Sequence, residues 1–364
     1  MSDNNFLVKN NKQIQLNRAN KRFQRRLTSN AKRKRRRKEE LGLSRVEKLR
    51  FRHYKKFRGF KKVKAPVNFS LVEEPEEMIK FAKNIKKLYR KKKKVFVIFK
   101  DTEHIGYDAL VLLLSILIRF RSKRIKFDGD FPTNPEAKKI LLDSGFFEYL
   151  YKNIKEEDRY SFIKGGTIAT HAYKKVDPKL TSEIISDASR TIWKKNKRCQ
   201  GVQRSLIELM HNTNNHAAYD KEGDKLWFLS VQHRKKEGIV SFSFLDFGVG
   251  IFESLNNKGK DSKWYNWERS LAKLFTYENN KELLKLILNG ELHRTVTGKA
   301  YRGKGLPGIY GAFKRNHFNK LHIISNDVYA DIENNKFLSL KNAFSGTFVY
   351  WEISSNNFNT DGFN

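Results

Sequence analysis

The sequence predicts an α/β protein, and three observations support this class. Short apolar strands alternate with amphipathic helices from residue 68 to residue 153, as in a small unit with a largely parallel sheet. From residue 200 to residue 353 the order is a helix, an antiparallel hairpin, a glycine-rich segment and a final strand. Hydrophobic residues make up 39% of the 364-residue chain, so cores can form although 31% of the residues are charged.

Composition argues against several classes of protein. The single cysteine, Cys199, excludes an internal disulfide framework, and no Cys and His residues have the spacing of a structural zinc site. The longest apolar run, Ala109 to Ile118, is far shorter than the ~20 residues that cross a bilayer. Met1 to Gln15 lacks the pattern of a secretory signal. We therefore expect a cytoplasmic protein without a membrane partner.

Residues 1–66 are predicted to form a basic, largely disordered arm. Residues 1–65 contain 24 Lys and Arg against 4 Asp and Glu, so their excess of positive charge is more than half of the net charge of +36. Few residues of this arm can build a core, and a helix over 39–56 is expected only on contact with a partner. The centre of the arm is an unbroken cationic run of Lys32, Arg33, Lys34, Arg35, Arg36, Arg37 and Lys38.

This run, with aromatic residues on both sides, suits phosphate neutralisation and base stacking, so we expect RNA or DNA as a partner. Arginine-rich segments often fold on RNA. Nonspecific DNA affinity, a nuclear localisation signal and attraction to anionic lipid are the alternative interpretations.

The segment 68–153 is predicted as a small α/β domain. Helices are expected over 74–91, 107–120 and 135–150, the last one interrupted near Gly145, with strands over 95–99 and 124–127. In its order this segment resembles a STAS domain, a module used for protein interaction, because a strand ending in Phe99-Lys100-Asp101 precedes an apolar helix, a strand and a further helix. The resemblance implies a protein partner. An unrelated α/β module is the alternative.

Residues 154–199 are predicted as a connector, with a turn at Gly165-Gly166, followed by a helix over 180–195. The next helix contains the first chemical motif. Glu208, Asn212 and His216 are spaced four residues apart and therefore share one helix face. A carboxylate and a carboxamide one turn apart suit a hydrated Mg²⁺ ion. A solvated helix face explains the first two residues equally well, and an ordinary capping or packing role explains His216 equally well.

The second motif is a strand over 240–246 that ends at Asp246, before Gly248 and Gly250. A segment over 225–232 provides its antiparallel partner. A buried carboxylate at this position needs a hydrogen-bond donor, which an adenine amino group would supply, and the glycines let a planar base approach the backbone. An ordinary Asp-plus-glycine turn is the alternative.

The third motif, 302–311, places Arg302, Gly303, Lys304, Gly305 and Leu306 before a helix expected over 312–316. Glycines ahead of a helix N-terminus can present backbone N–H groups to phosphates, although this motif is not a Walker sequence. The fourth motif, 345–353, is a strand that begins with Gly346-Thr347.

In this order the four motifs resemble the N box, G1 box, G2 box and terminal Gly-Thr of the GHKL ATPase superfamily, which includes gyrase B, MutL and sensor histidine kinases. The resemblance implies a two-layer α+β sandwich of the Bergerat type over 200–353, with a lid over 252–301 and a tail over 354–364. The implied ligands are ATP and Mg²⁺. The implied roles are water activation by Glu208, Mg²⁺ binding by Asn212, proximity of His216 to the nucleotide, adenine recognition by Asp246 with support from Thr347 through a water, a base pocket at Gly248 and Gly250, and phosphate binding by Arg302, Gly303, Lys304, Gly305 and Leu306.

Several activities are open within this superfamily. A histidine kinase is disfavoured, because no His followed by an acidic residue lies on a helix before the N box, and His171 falls in a predicted loop. We expect a bacterial ATP-binding switch or slow ATPase whose arm binds nucleic acid, and analogy with GHKL-containing immune systems suggests phage defence. The alternatives are an anti-sigma type serine/threonine kinase acting on a STAS-like partner, and a non-hydrolysing nucleotide-binding interaction protein. A homodimer is also open.

Overall fold

The computed structural model describes residues 3–39, 56–151, 167–173, 176–216, 226–248, 250–252, 280–291 and 305–357. The chain divides into two compact units, Met1–Phe60 and Lys61–Asn364. No helix among these residues is both long enough and apolar enough to cross a membrane. The predicted domain boundaries near residues 68, 153 and 200 stay predictions.

The first unit contains a long helix where the sequence analysis expected disorder. Helix α1 spans Asp3–Glu39, and its side chains from residue 17 to residue 35 are all exposed. Lys, Arg, Gln and Leu have good helix propensity, which explains how a helix can form here without a core. The helix predicted over 39–56 lies, apart from its two terminal residues, outside the described residues.

The second unit begins with a small α/β layer. Its elements, in chain order, are β1 (Lys61–Lys64), β2 (Asn68–Phe69), α2 (Pro75–Arg90), β3 (Val95–Ile98), β4 (His104–Ile105), α3 (Tyr107–Ser122), β5 (Phe127–Gly129), α4 (Pro135–Asp143) and α5 (Phe146–Tyr151). Strands β1, β3 and β5 form a parallel sheet in that order. The predicted α/β pattern is confirmed here, although β5 begins three residues later than expected.

The remaining elements build a larger antiparallel layer. They are β6 (Thr167–Tyr173), α6 (Pro178–Trp193), α7 (Gln200–His216), β7 (Leu226–Arg234), β8 (Ile239–Asp246), α8 (Asn280–Leu288), α9 (Gly305–Lys314), β9 (Asn319–Asp331) and β10 (Lys336–Ile353). Five strands pair in the order β6-β7-β8-β10-β9, all antiparallel. The connector prediction was wrong over 167–173, because this segment is a strand of the sheet and carries His171.

The two layers share helix α3, which is buried along nearly its whole length. One side of α3 lies against the parallel sheet, where Leu113 and Leu117 line a cavity with Val97. Its other side packs against β7 and β8, where the backbone oxygen of Tyr107 accepts a hydrogen bond from Ser230 Oγ. A helix covered on both sides must be apolar all round, which explains its sequence.

The opposite face of the antiparallel sheet is covered by helices α6 and α7, and α9 packs beside α7. Thr191 on α6 hydrogen-bonds the ring of His233 on β7, which identifies the sheet face that α6 covers. Because side chains alternate along a strand, the same face of β8 carries Val240, Phe242, Phe244 and Asp246. Strand β8 is therefore enclosed on both faces, and it ends at the predicted chemical residue.

Candidate functional site

Asp246 is a buried carboxylate at the end of β8. It is 8% exposed and accepts a hydrogen bond of 2.7 Å from the backbone N–H of Gly248. The backbone N–H and the hydroxyl of Thr347 lie near enough to lower its pKa as further donors. Burial raises the pKa of Asp246 from 3.8 to about 6, although these three donors act in the opposite direction. The carboxylate is thus ionised at neutral pH and keeps acceptor capacity for a further donor.

The pairing of β8 with β10 explains this environment. Thr347 lies directly opposite Asp246 in the register of β8 and β10. Gly346 has φ +117, and a Cβ there would lie 2.0 Å from the backbone oxygen of Asp246. Only glycine fits this contact. The water that the resemblance implies between Thr347 and Asp246 stays a prediction.

The turn after Asp246 is hydrogen-bonded to β9, which lies two strands away from β8 in the sheet. Ser325 Oγ accepts from the backbone N–H of Ile251 at 2.8 Å, and Asn326 Oδ1 accepts from that of Phe252 at 3.2 Å. Ser325 also donates to the backbone oxygen of Gly346 at 3.1 Å. The turn with Gly248 and the start of the fourth motif are therefore connected by side chains that the sequence analysis did not single out.

Helix α7 contributes Glu208 and Asn212, both half-buried and one turn apart. A Cβ placed on Gly305, the first residue of α9, would lie 2.8 Å from Asn212 Nδ2. The first and third motifs are therefore in close contact. Leu306 follows in the first turn of α9. This helix begins seven residues earlier than predicted.

Several predicted site residues lie outside the described part of the structure. Arg302, Gly303 and Lys304 precede the first described residue of α9, and only the backbone of His216 is described. On α1, the side chains of Lys32, Arg33, Lys34 and Arg35 are exposed, and those of Arg36, Arg37 and Lys38 are not described.

The predicted lid, 252–301, is described only in part. Its residues 280–288 form α8, which packs against α9, β9 and β10 and buries Leu284. Asn280 Nδ2 donates to Asp327 Oδ1 at 2.6 Å. The backbone N–H of Phe252 donates to the side chain of Asn326, the residue before Asp327. Both ends of the interval 252–280 are therefore hydrogen-bonded to neighbouring residues of β9.

Phe247, the residue after Asp246, points to the opposite face of the sheet. Lys86 Nζ of α2 lies 4.2 Å from the centroid of its ring, and the guanidinium carbon of Arg119 on α3 lies 5.1 Å from it. Burial, with the neighbouring charges of Arg119 and Arg90, lowers the pKa of Lys86 from 10.5 to about 7. The turn of the second motif thus contacts the α/β layer through one aromatic ring.

A cavity of about 310 Å³ lies in the α/β layer between β3, β5, α3, α4 and α5, and its lining is largely apolar. None of the four motifs contributes to it. Over the described ranges, no group of three or more His, Cys, Asp or Glu side chains could hold a metal ion.

Comparison with known proteins identifies no family. No protein-family model matches the chain, and no curated protein matches it. The functional argument therefore rests on the motifs and on their arrangement in the fold.

We predict that Lys86→Met stabilises the protein in a pH-dependent way. Below pH 7 Lys86 is charged in the folded protein although its burial makes the charge unfavourable. Above the ordinary pKa of 10.5 the lysine is neutral in both the folded and the unfolded state. The gain in unfolding free energy should therefore be largest below pH 7 and disappear toward pH 10. Urea unfolding at several pH values measures it. The exposed neighbour Lys87→Met is the control, and an equal, pH-independent effect of both would contradict the assignment.

Proposed function

We propose that this protein binds ATP with Mg²⁺ in a GHKL-type, Bergerat-like site between β8, α7 and α9, and acts as a nucleotide-controlled switch or slow ATPase. The main support is the buried, ionisable Asp246, which faces the helical layer and is held by Gly248 and Thr347. A second support is the close contact of Asn212 in the first motif with Gly305 in the third motif.

The adenine end of the ligand is assigned to Asp246. A carboxylate is an acceptor only, and the three protein donors leave lone pairs for the exocyclic amino group of the base. Trp227 lies opposite Asp246 in the β7–β8 register and stacks on Phe244 with ring centroids 5.7 Å apart. Both rings are fully buried, so they pack in the core beneath Asp246 and do not themselves contact a ligand.

The phosphate end is assigned to the junction of α7 and α9. The N-terminus of α9 at Gly305 provides free backbone N–H groups and the positive end of the helix dipole, and Lys304 immediately precedes it in the chain. The amide oxygen of Asn212 would be a Mg²⁺ ligand together with phosphate oxygens and waters. Bound Mg²⁺ would neutralise phosphate charge. Glu208, one turn away on α7, would orient or deprotonate the attacking water.

The contact between Phe247 and the α/β layer favours a switch. Phe247 directly follows Asp246, so a shift of the base-binding turn would change the surroundings of Lys86 on α2 and Arg119 on α3. The two ends of the interval 252–280 meet at β9 beside the same turn. Nucleotide binding could thus alter the STAS-like layer, where we expect a protein partner to bind.

Nucleic acid is the partner proposed for the arm. Helix α1 places Arg18, Lys21, Arg22, Arg25 and Arg26 at spacings of three and four, so these cations share one side of the helix. All of them are exposed. A helix with a row of cations can follow a phosphate backbone.

We predict that ATP with Mg²⁺ binds the purified protein and that Asp246→Asn lowers the affinity about 10- to 100-fold, since a hydrogen bond to a charged group contributes about 1.5–3 kcal/mol. Isothermal titration calorimetry measures the affinity. Asp331→Asn is the matched control, because Asp331 is also 8% exposed and bonds to its own turn at Asn334. Equal losses in both variants, or no binding to the wild type at millimolar ATP, would contradict the site.

Phosphate release by the same samples separates the activities. Glu208→Ala should abolish release while leaving ATP affinity within a few-fold, with the exposed His211→Ala as the control on the same helix. A wild type that binds ATP without release would identify the non-hydrolysing alternative. Transfer of the γ-phosphate to a STAS-like protein would identify the kinase.

The ratio of ATP to inosine triphosphate affinity should rise with pH and level off above about pH 7. Ionised Asp246 accepts a hydrogen bond from the amino group of adenine and repels the 6-oxo group of hypoxanthine, whereas the protonated form below its pKa of about 6 donates instead. Taking the ratio cancels the titration of the phosphates. Calorimetry between pH 5 and pH 8 measures it, and a ratio independent of pH would exclude Asp246 from the base contact.

A further inference from the structure

The amino-terminal edge of the parallel sheet is strongly basic. In a parallel sheet all strands start at the same edge, and each of β1, β3 and β5 is preceded or begun by cations. The backbone oxygen of Lys94 accepts from Lys61 N at 2.8 Å, and that of Lys126 accepts from Val95 N at 3.2 Å, which brings the three starts together. We call this surface the basic edge. Its exposed cations are Lys61, Lys62, Lys91, Lys92, Lys93, Lys94, Lys123, Arg124 and Lys126.

Two turns of the same kind form the centre of the basic edge. Helix α2 is followed by β3 and helix α3 by β5. The turn after each helix contains a cation with positive φ, Lys92 at 50° and Arg124 at 56°. Neighbouring strands lie about 4.8 Å apart, so the three rows of cations extend about 10 Å across the edge. A surface of this width can contact more than one phosphate of a nucleic-acid strand.

Structural roles account for only some of these charges. Lysines on β1 protect an exposed sheet edge from pairing with other chains, which explains Lys61 and Lys62. One cation at each helix C-terminus offsets the helix dipole, at about 0.3–1 kcal/mol each. The unbroken run 91–94 and the cluster at 123–126 exceed both needs, and the lysines and arginine repel one another at this density.

We propose that the basic edge binds the phosphate backbone of a nucleic acid, as a contact on the folded body that is separate from α1. It adds to the proposed nucleic-acid role of the arm without depending on it. Among the described residues, no exposed large apolar side chain belongs to 91–94 or 122–126. The exposed aromatic ring beside this surface is that of Tyr151, which stacks on Phe127 and carries a polar hydroxyl. Phosphodiester contacts need no apolar anchor.

The test compares two charge-neutralised variants of the full-length chain. The edge variant carries Lys92→Asn, Lys93→Gln, Arg124→Asn and Lys126→Gln. Asn is chosen at the two positions with positive φ because it tolerates this conformation. The control variant removes the same charge from exposed lysines elsewhere on the body: Lys235→Gln, Lys236→Gln, Lys336→Gln and Lys341→Gln. Equal midpoints of urea unfolding for both variants and the wild type check that the fold is kept.

Binding of a 30-nucleotide single-stranded RNA, and of the DNA of the same sequence, is measured at several salt concentrations. If all four edge cations contact phosphates, the slope of log K against log salt becomes shallower by about 2.8, at about 0.7 per contact, while the control slope is unchanged. The RNA and DNA series show which nucleic acid is preferred. An edge variant that behaves like the control would overturn the proposal.

A third variant separates this site from the arm. Neutralising Arg22, Arg25, Arg26 and Arg33 on α1 tests the proposed function of the arm alone, and adding the edge substitutions should reduce the slope further. A slope that responds to the arm variant and not to the edge variant refutes the basic edge and leaves the arm role intact. Loss of binding to phosphatidylserine vesicles in the edge variant, with unchanged nucleic-acid binding, would show instead that the edge binds lipid.

Discussion

The burial of the Asp246 carboxylate is the interaction on which the site depends. An ionised group in this position is costly, and it is tolerated because Gly248 and Thr347 direct three donors at it. Those donors are in place only when β8 and β10 pair in their observed register, with Gly346 close to the Asp246 backbone. A stable fold has little use for such a carboxylate, whereas a site that recognises a donor on a ligand does.

The same sheet connects the proposed site to the rest of the body. Its Asp246 face is covered by α6 and α7, and its other face by the α/β layer through α3. Phe247 lies at the boundary, with Asp246 on one side of the chain and Lys86 on the other. The proposed ligand site at the end of β8 and the α/β layer are therefore separated by one residue of backbone. We infer that this short path would carry the switch.

The sequence predicted those parts of the fold that follow from local periodicity. Helix α2 has an amphipathic pattern, helix α3 a nearly continuous apolar one and strand β8 an alternating one, and the sequence order of the four motifs suggested that they meet. The sequence analysis missed two features because they depend on packing between distant segments. Helix α9 begins within a glycine-rich segment of poor helix propensity. Strand β6 directly follows Gly165-Gly166, which the sequence analysis interpreted as a turn in a connector, and its pairing with β7 joins segments more than 50 residues apart. The contacts of Asn326 and Lys86 join residues distant in sequence, which no local pattern reveals.

Hydrogen–deuterium exchange with and without ATP and Mg²⁺ tests the central claim most directly, because it reports all parts of the site in one measurement. The account predicts slower exchange in three separate segments together: residues 205–213 of α7, the turn 246–252, and the first turns of α9 from residue 305. Protection confined to the α/β layer around the cavity between β3, β5 and α5, with these three segments unchanged, would contradict it.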